Sequence, residues 1–449
     1  ASADITTTGN QTYNDEFVLN TSLTLTGGNA SFTGGIDGDG NDLTLNFTGN
    51  ATLDGGATTI SGINNLTSLG GIAVNGTIQT DGIHTFKGHG VLLGDTTLVG
   101  SAGVHNGTHD GYEHDLTINY TSPTTISSSG GNISNFTSVG DVLLNTTDFE
   151  TIGSQTFQGN VALTGDTKLT GASGSFANGL DGDNHSLTLN YSDTTTIDGN
   201  SVFFNLNDLT NHGPVELGGT IQTAGNQSYL GQATLIGATE IQANGGSFEG
   251  GLIGAGNDLT LNIASTITIA DGSGVNDLTS IGETILTGTI NTTGSQTYQS
   301  NVTIEGDVEL NAVGDVSFSN ELSGNQNEST GNPDLIINTQ SDTTFGGTVS
   351  DLATLTTDAG GSTLAKADIT TTGNQTYNDE FVLNTSLTLT GGNASFHAGI
   401  DGDGNDLTLN FTGNATLDGG ATPISGINNL TSLGGVNANG TIATSAQQN

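Results

Sequence analysis

The stretch IDGDGNDLTLN begins at Ile36 and again at Ile400, and it sets carboxylates at alternating positions of a glycine-rich turn. Asp37, Asp39 and Asp42, with Asp401, Asp403 and Asp406 in the second copy, are hard oxygen donors of the kind Ca²⁺ takes in sets of about six to eight. Calcium is therefore the one cofactor these residues call to mind. A plainer reading competes with it: Asp and Gly are also the residues of ordinary tight turns. The third copy keeps Asp181 and Asp183, but the fourth reads LIGAGND and loses two carboxylates, which favours the turn.

A second cluster lies in GIHTFKGHG and GVHNGTHDGYEHD, which hold five of the eight histidines. If successive strands stack, His84 falls under His105 and His89 under His109, and four imidazoles so placed suit Zn²⁺, Ni²⁺ or Cu²⁺. The cluster occurs in one copy only, and histidine on a polar surface is the plainer expectation.

Asparagine followed two positions later by Ser or Thr occurs 25 times, at Asn10, Asn46, Asn65, Asn119, Asn190 and Asn301 among others. Each is an acceptor for N-glycosylation where the cell provides it. Part of this enrichment follows from a chain rich in Asn, Thr and Ser. Threonine pairs such as Thr24 and Thr26, and the runs Thr6 to Thr8 and Thr370 to Thr372, raise the alternative of a flat ligand-binding or ice-binding face, interrupted by Asn, Asp and Ser. For catalysis the chain offers little. The aspartates recur in turns instead of forming one singular pair, and there is no Gly-x-Ser-x-Gly elbow, no phosphate loop and no Cys/His nucleophile. A non-enzyme is expected.

The elements that would position these residues are legible from composition and repetition. Hydrophobic residues make up 32% and aromatics 5%, too few for a thick core. Glycine fills 71 positions and proline 4, so turns are frequent without the proline density of a disordered linker. Cysteine is absent, which excludes a disulfide scaffold. The net charge of -42, with only three basic residues, excludes a phosphate-neutralising footprint and hence nucleic acid as a partner. No apolar run approaches the roughly 18 residues of a membrane span. The chain begins at Ala1 with neither an initiator Met nor a signal segment, as expected of a processed protein or part of a longer one.

A motif recurs six times: GNQTY at Gly9, GIHTF at Gly82, GSQTF at Gly153, GNQSY at Gly225, GSQTY at Gly294 and GNQTY at Gly373. The period is roughly 72 residues, the mark of a repeat architecture. DLTLNF-type and NLTSLGG-type segments travel with it in fixed order. The repeats span about 3–75, 76–146, 147–218, 219–287, 288–366 and 367–439, with 440–449 opening another, in a single continuous array over 1–449. Within each, apolar residues alternate with polar ones, as at Leu43, Leu45 and Phe47, and period two means strand. Leu23/Leu25 and Leu43/Leu45 are 20 residues apart, so the expected rung is about 20 residues long.

Strands this short cannot bury an apolar side alone, and they must stack. The fold class expected is all-β: a rod-shaped parallel β-helix of about 20 rungs, on the order of 100 Å long at ~4.8 Å per rung. Repeats of the form TTTGNQTYND, LTLTG, DGDGNDLTLN and NLTSLGG resemble those of filamentous-haemagglutinin-type bacterial exoproteins. That resemblance covers essentially the whole chain and implies a secreted, cell-surface β-helical adhesin or stalk, with other cells or surface glycans as partners.

Residues 3–71 match 367–435 with three differences: Thr33 against His397, Gly34 against Ala398 and Thr59 against Pro423. A chain whose late repeat copies its first reads as a window on a longer array, or as a subunit whose ends imitate its interior. Open strand edges at the ends of such a fold pair with other chains, so end-to-end self-association into a fibre is the expected partnership.

Overall fold

The computed structural model describes residues 1–127, 129–199, 201–325, 331–419 and 422–449. Among these every regular element is a β-strand, and the ladders between strands are parallel, forming a β-solenoid of about 22 turns. Contacts divide it into two units, 1–225 and 226–449.

In the first unit a strand column runs through Ile5–Thr6, Leu23–Gly27, Leu43–Phe47, Leu66–Ser68 and Ile83–Phe86. Leu23 lies beside Leu43, Leu43 beside Leu66 and Leu66 beside His84. In the second unit Leu387, Leu407 and Leu430 stack the same way, as do Leu259, Leu278, Gln296 and Val316. The alternation in the sequence is what fixes this register. A slip of one residue would turn every inward Leu and Ile to water.

The repeat is not a whole number of turns. Gln11 of the first copy stands in a column with Ala30 and Ala51, whereas His84 of the second follows Leu43 and Leu66 in another. Corresponding motifs of neighbouring repeats therefore occupy different sides of the solenoid.

The core is one side chain deep. Leu25, Leu45, Leu53, Phe157, Leu189, Ile241, Phe318 and Leu409 are all fully buried, while the residues between them face outward. The aromatic of each GNQTY-type motif packs on the aromatic one turn later: Tyr13 on Phe32 at 4.9 Å, Phe157 on Phe176 at 5.1 Å, Tyr229 on Phe248 at 4.9 Å and Tyr298 on Phe318 at 5.2 Å. Parallel stacking in register produces these near-coplanar pairs, and it explains how so few apolar residues suffice. Each inward side chain has a neighbour above and below from the same short list.

Candidate functional site

The aspartates of the IDGDGND turns are occupied by the fold. Asp37 Oδ1 accepts the backbone N–H of Asp39 at 3.1 Å, and Asp401 that of Asp403 at 3.0 Å. Asp39 and Asp403 adopt left-handed backbone conformations, with φ of 46° and 47°, which Asp tolerates better than most residues. Asp42 Oδ1 accepts three hydrogen bonds from the next turn: Asn64 Nδ2 at 2.8 Å, Asn65 N at 3.0 Å and Asn65 Nδ2 at 2.9 Å. Asp406 repeats the arrangement with Asn428 and Asn429. Those bonds, the Asn429 and Asn428 side chains first, hold the Asp406 carboxyl below its ordinary range.

The intervening glycine is equally structural. A Cβ on Gly38 would lie 2.3 Å from the Ile63 Cα, and Gly111, Gly182, Gly254 and Gly402 meet the next turn just as closely. Among the described residues no group of three or more His, Asp or Glu side chains is placed to hold a metal ion.

The histidines are arranged differently from the sequence expectation. The register sets His84 beside Gly103, Phe86 beside His105 and Gly90 beside His109, so His84 does not lie under His105 nor His89 under His109. His84 and His105 are instead inward residues two positions apart along the same strand pair, and both are fully buried. His89 is exposed and its Nδ1 lies 2.9 Å from the Thr108 hydroxyl.

Between the buried rings sits the phenol of Tyr120, its oxygen 2.7 Å from His84 Nδ1 and 3.4 Å from His105 Nε2. His109 is half-buried with its ring 5.5 Å from that of His105. Burial lowers His84 to about 3 and His109 to about 4, the latter also through His89. His105 falls well below its ordinary value, through burial first and then through His109 and His84. His84 and His105 are core residues and His109 lies half-buried beside them, unlike the surface histidines that composition suggested.

The glycosylation candidates separate into two groups. Asn46, Asn119, Asn190 and Asn301 are exposed. Asn10 is exposed too, its Oδ1 accepting both the backbone and side-chain N–H groups of Asn29, while Asn65 is half-buried and tied to Asp42. Threonine also lines up better than its sequence spacing indicated: Thr77, Thr97, Thr117, Thr137 and Thr156 form one outward column, continued by Ser175 and Thr196.

Two buried polar features had no forewarning in the motifs. The first is the Gln of GNQTY. Gln375 Nε2 donates to the backbone oxygens of Ile369 and Thr390 and to the Thr371 hydroxyl, while its Oε1 accepts from Tyr377. Gln11 and Gln296 repeat the set with Tyr13 and Tyr298, and Tyr229 donates to Gln227. The second is Asp379, buried under the hydroxyls of Thr357 and Thr363. The glutamine could have been suspected from a polar residue recurring at an inward position, whereas Asp379 has its one counterpart in the exposed Asp15.

No protein-family model matches the chain, and neither a curated protein nor a solved structure does. What the fold defines is a β-helical repeat protein. Among the described residues no helix is long and apolar enough to cross a membrane.

Proposed function

We propose that the chain is a structural element of an extracellular fibre or adhesin stalk, of the filamentous-haemagglutinin type, without catalytic activity and without a resident cofactor. One observation carries this reading. The matching segments 3–71 and 367–435 build the same rungs, Leu23–Leu43–Leu66 and Leu387–Leu407–Leu430, in two different units, each on the equivalent strand before it, Ile5–Thr6 and Ile369–Thr371. A segment that builds the same rungs at two places in the chain is a module, and modules joined through nearest-neighbour contacts extend a solenoid without enlarging its core.

The partner in this reading is another copy, joined through strand edges. The acidic surface keeps assembled copies from associating sideways, and the aspartates serve as turn and ladder acceptors. The exposed Asn46, Asn119, Asn190 and Asn301 are the places where glycans fit a secreted surface protein. The threonine column supports a second reading, a repetitive polar contact face for surface glycans or ice.

Electron microscopy and sedimentation across a concentration series test the fibre. Filaments that lengthen with concentration are expected. Particles that stay monomeric at every concentration would overturn the reading.

A further inference from the structure

We propose that the second repeat, residues 76–146, is a joint that opens in mild acid, because three of its core positions carry imidazoles where the other copies carry side chains that take no proton. His84 stands where Gln11, Gln155, Gln227, Gln296 and Gln375 stand. His105 replaces Phe32, Phe176, Phe248, Phe318 and Phe396, and His109 replaces Ile36, Leu180, Leu252, Leu322 and Ile400. All fifteen of those residues are buried. Three independent replacements by one residue type, at three contacting inward positions of one copy, are more than surface tolerance of histidine accounts for.

The geometry explains why a proton is unwelcome. His84 Nε2 is buried and has no hydrogen-bond partner. With the ring neutral, Nδ1 donates to the Tyr120 oxygen and the Tyr120 hydroxyl turns to His105 Nε2. The unpartnered Nε2 then carries only a lone pair. Protonating His84 converts it into a buried N–H with no acceptor, and protonating His105 removes the acceptor that Tyr120 uses.

Burial and other imidazoles, not carboxylates, set the protonation of His84 and His105. The charged neighbours that act on the rings are other histidines: His84 and His109 on His105, and His89 on His109. The packed strands Leu66–Ser68, Thr124–Ile126 and Phe136–Ser138 carry no titratable residue. On Gly90–Gly100 the one carboxylate, Asp95, pairs with His114 on the outside. Asp110 accepts from Tyr112 N and Asn132 Nδ2, and Asp148 pairs with Lys168 at 2.9 Å. Lys87, Glu113 and Glu150 are exposed.

The aromatic contact also differs here. Phe86 meets His105 edge-on at 78°, not face to face as Phe157 meets Phe176 at 13°. A void of about 10 Å³ lies against His105, His109, Ile133 and Phe149, room for about one water.

The sign follows from burial. Opened, the imidazoles return to an ordinary value near 6.5, while folded they titrate lower, so acid below about 6.5 favours the open form until the folded groups themselves titrate. Each imidazole that takes a proton only on opening multiplies the open population by up to about ten per pH unit. Because solenoid stability is local, this opening stays in the turns around His84 and His105.

Hydrogen exchange on the full chain at pH 7.5 and pH 5, corrected for intrinsic rates, tests this. Protection in the strands from Leu66 to Ser138 is expected to fall at least tenfold more than in the strands from Leu259 to Phe318. The variant His84→Gln/His105→Phe/His109→Ile, built from residues the other copies place there, is expected to lose the difference. Equal loss in both regions, or equal loss in the variant, would overturn the proposal. Imidazole proton titration by NMR on the unmodified chain decides it independently of the variant: in the closed form, followed by its protected amides, three of the eight histidines should still be neutral at pH 5.5, and their protonation while those amides stay protected would overturn it.

Discussion

The phenol of Tyr191 donates to Gln155 Oε1 at 2.7 Å, across 36 residues of chain. In four other repeats that oxygen is served from two residues away, by Tyr13, Tyr229, Tyr298 and Tyr377. The third repeat has Phe157 at the local position, and the hydroxyl arrives instead from the end of the strand Leu187–Tyr191. The second repeat makes the same exchange, with Phe86 at the local position and Tyr120 reaching His84. Each repeat thus supplies one phenol to one buried polar residue, from either of two positions. Burial keeps these phenols protonated, pushing Tyr191 and Tyr377 well above their ordinary range.

Tyr191→Phe should therefore cost about 1–3 kcal/mol, the penalty for stranding a buried acceptor. Adding Phe157→Tyr in that background should recover most of the loss, because the local position serves the same oxygen in four copies. Denaturant midpoints for the two single variants and the double give the coupling directly. Independent, additive losses would show that the two positions do not serve one acceptor.

The Asp-Gly-Asp turn of the third repeat yields a steric prediction. A Cβ on Gly182 would sit 2.6 Å from Leu206 Cα and 2.7 Å from Asn205 O, whereas one on Gly165 meets nothing within 4 Å. Gly182→Ala should destabilise by about 1–3 kcal/mol, since the next turn's backbone must move. Gly165→Ala should be neutral or slightly stabilising by restricting the unfolded chain. Thermal melts of the pair separate close approach from any general preference for glycine in turns.

The stacking architecture was legible because it rests on a periodic property. Alternation at Leu43, Leu45 and Phe47 and the 20-residue offset from Leu23 to Leu43 state the register outright, and the structure pairs those residues as read. The site residues were less legible, because their surroundings come from other turns. Nothing local distinguishes Asp42 as a free ligand from Asp42 as the acceptor of Asn64 and Asn65. The histidine register failed for a related reason. Counting residues aligned His84 with His105, 21 positions on, but this turn advances 19 residues, as from Ile83 to Ala102, and sets Phe86 beside His105. The clearest case is Asp15 and Asp379, which occupy equal positions in identical 24-residue segments. Asp15 is exposed and Asp379 is buried, because the turn carrying Thr357 and Thr363 covers the later one.

That covering turn gives Asp379 a distinct pH behaviour. Burial raises its carboxyl to about 6, and nearby Asp358 pushes the same way, against the hydrogen bonds from Thr363 and Thr357. The folded chain therefore holds this proton more tightly than the unfolded chain, in which the group titrates near 3.9. Between about pH 4 and pH 6 the native state binds more protons, so this residue's contribution to stability rises as pH falls through 6 and is absent at neutral pH. Asp379→Asn removes the charge while leaving groups that both threonine hydroxyls can bond. It should stabilise the chain at pH 7.5 by up to about 3 kcal/mol, two pH units at about 1.4 kcal/mol each, and by nothing measurable at pH 4. The matching substitution Asp15→Asn, at an exposed position, should change stability at neither pH. Melts of both variants at the two pH values check the sign, and a gain for Asp379→Asn that is equal at pH 4 and pH 7.5 would show that packing, not the buried charge, is responsible.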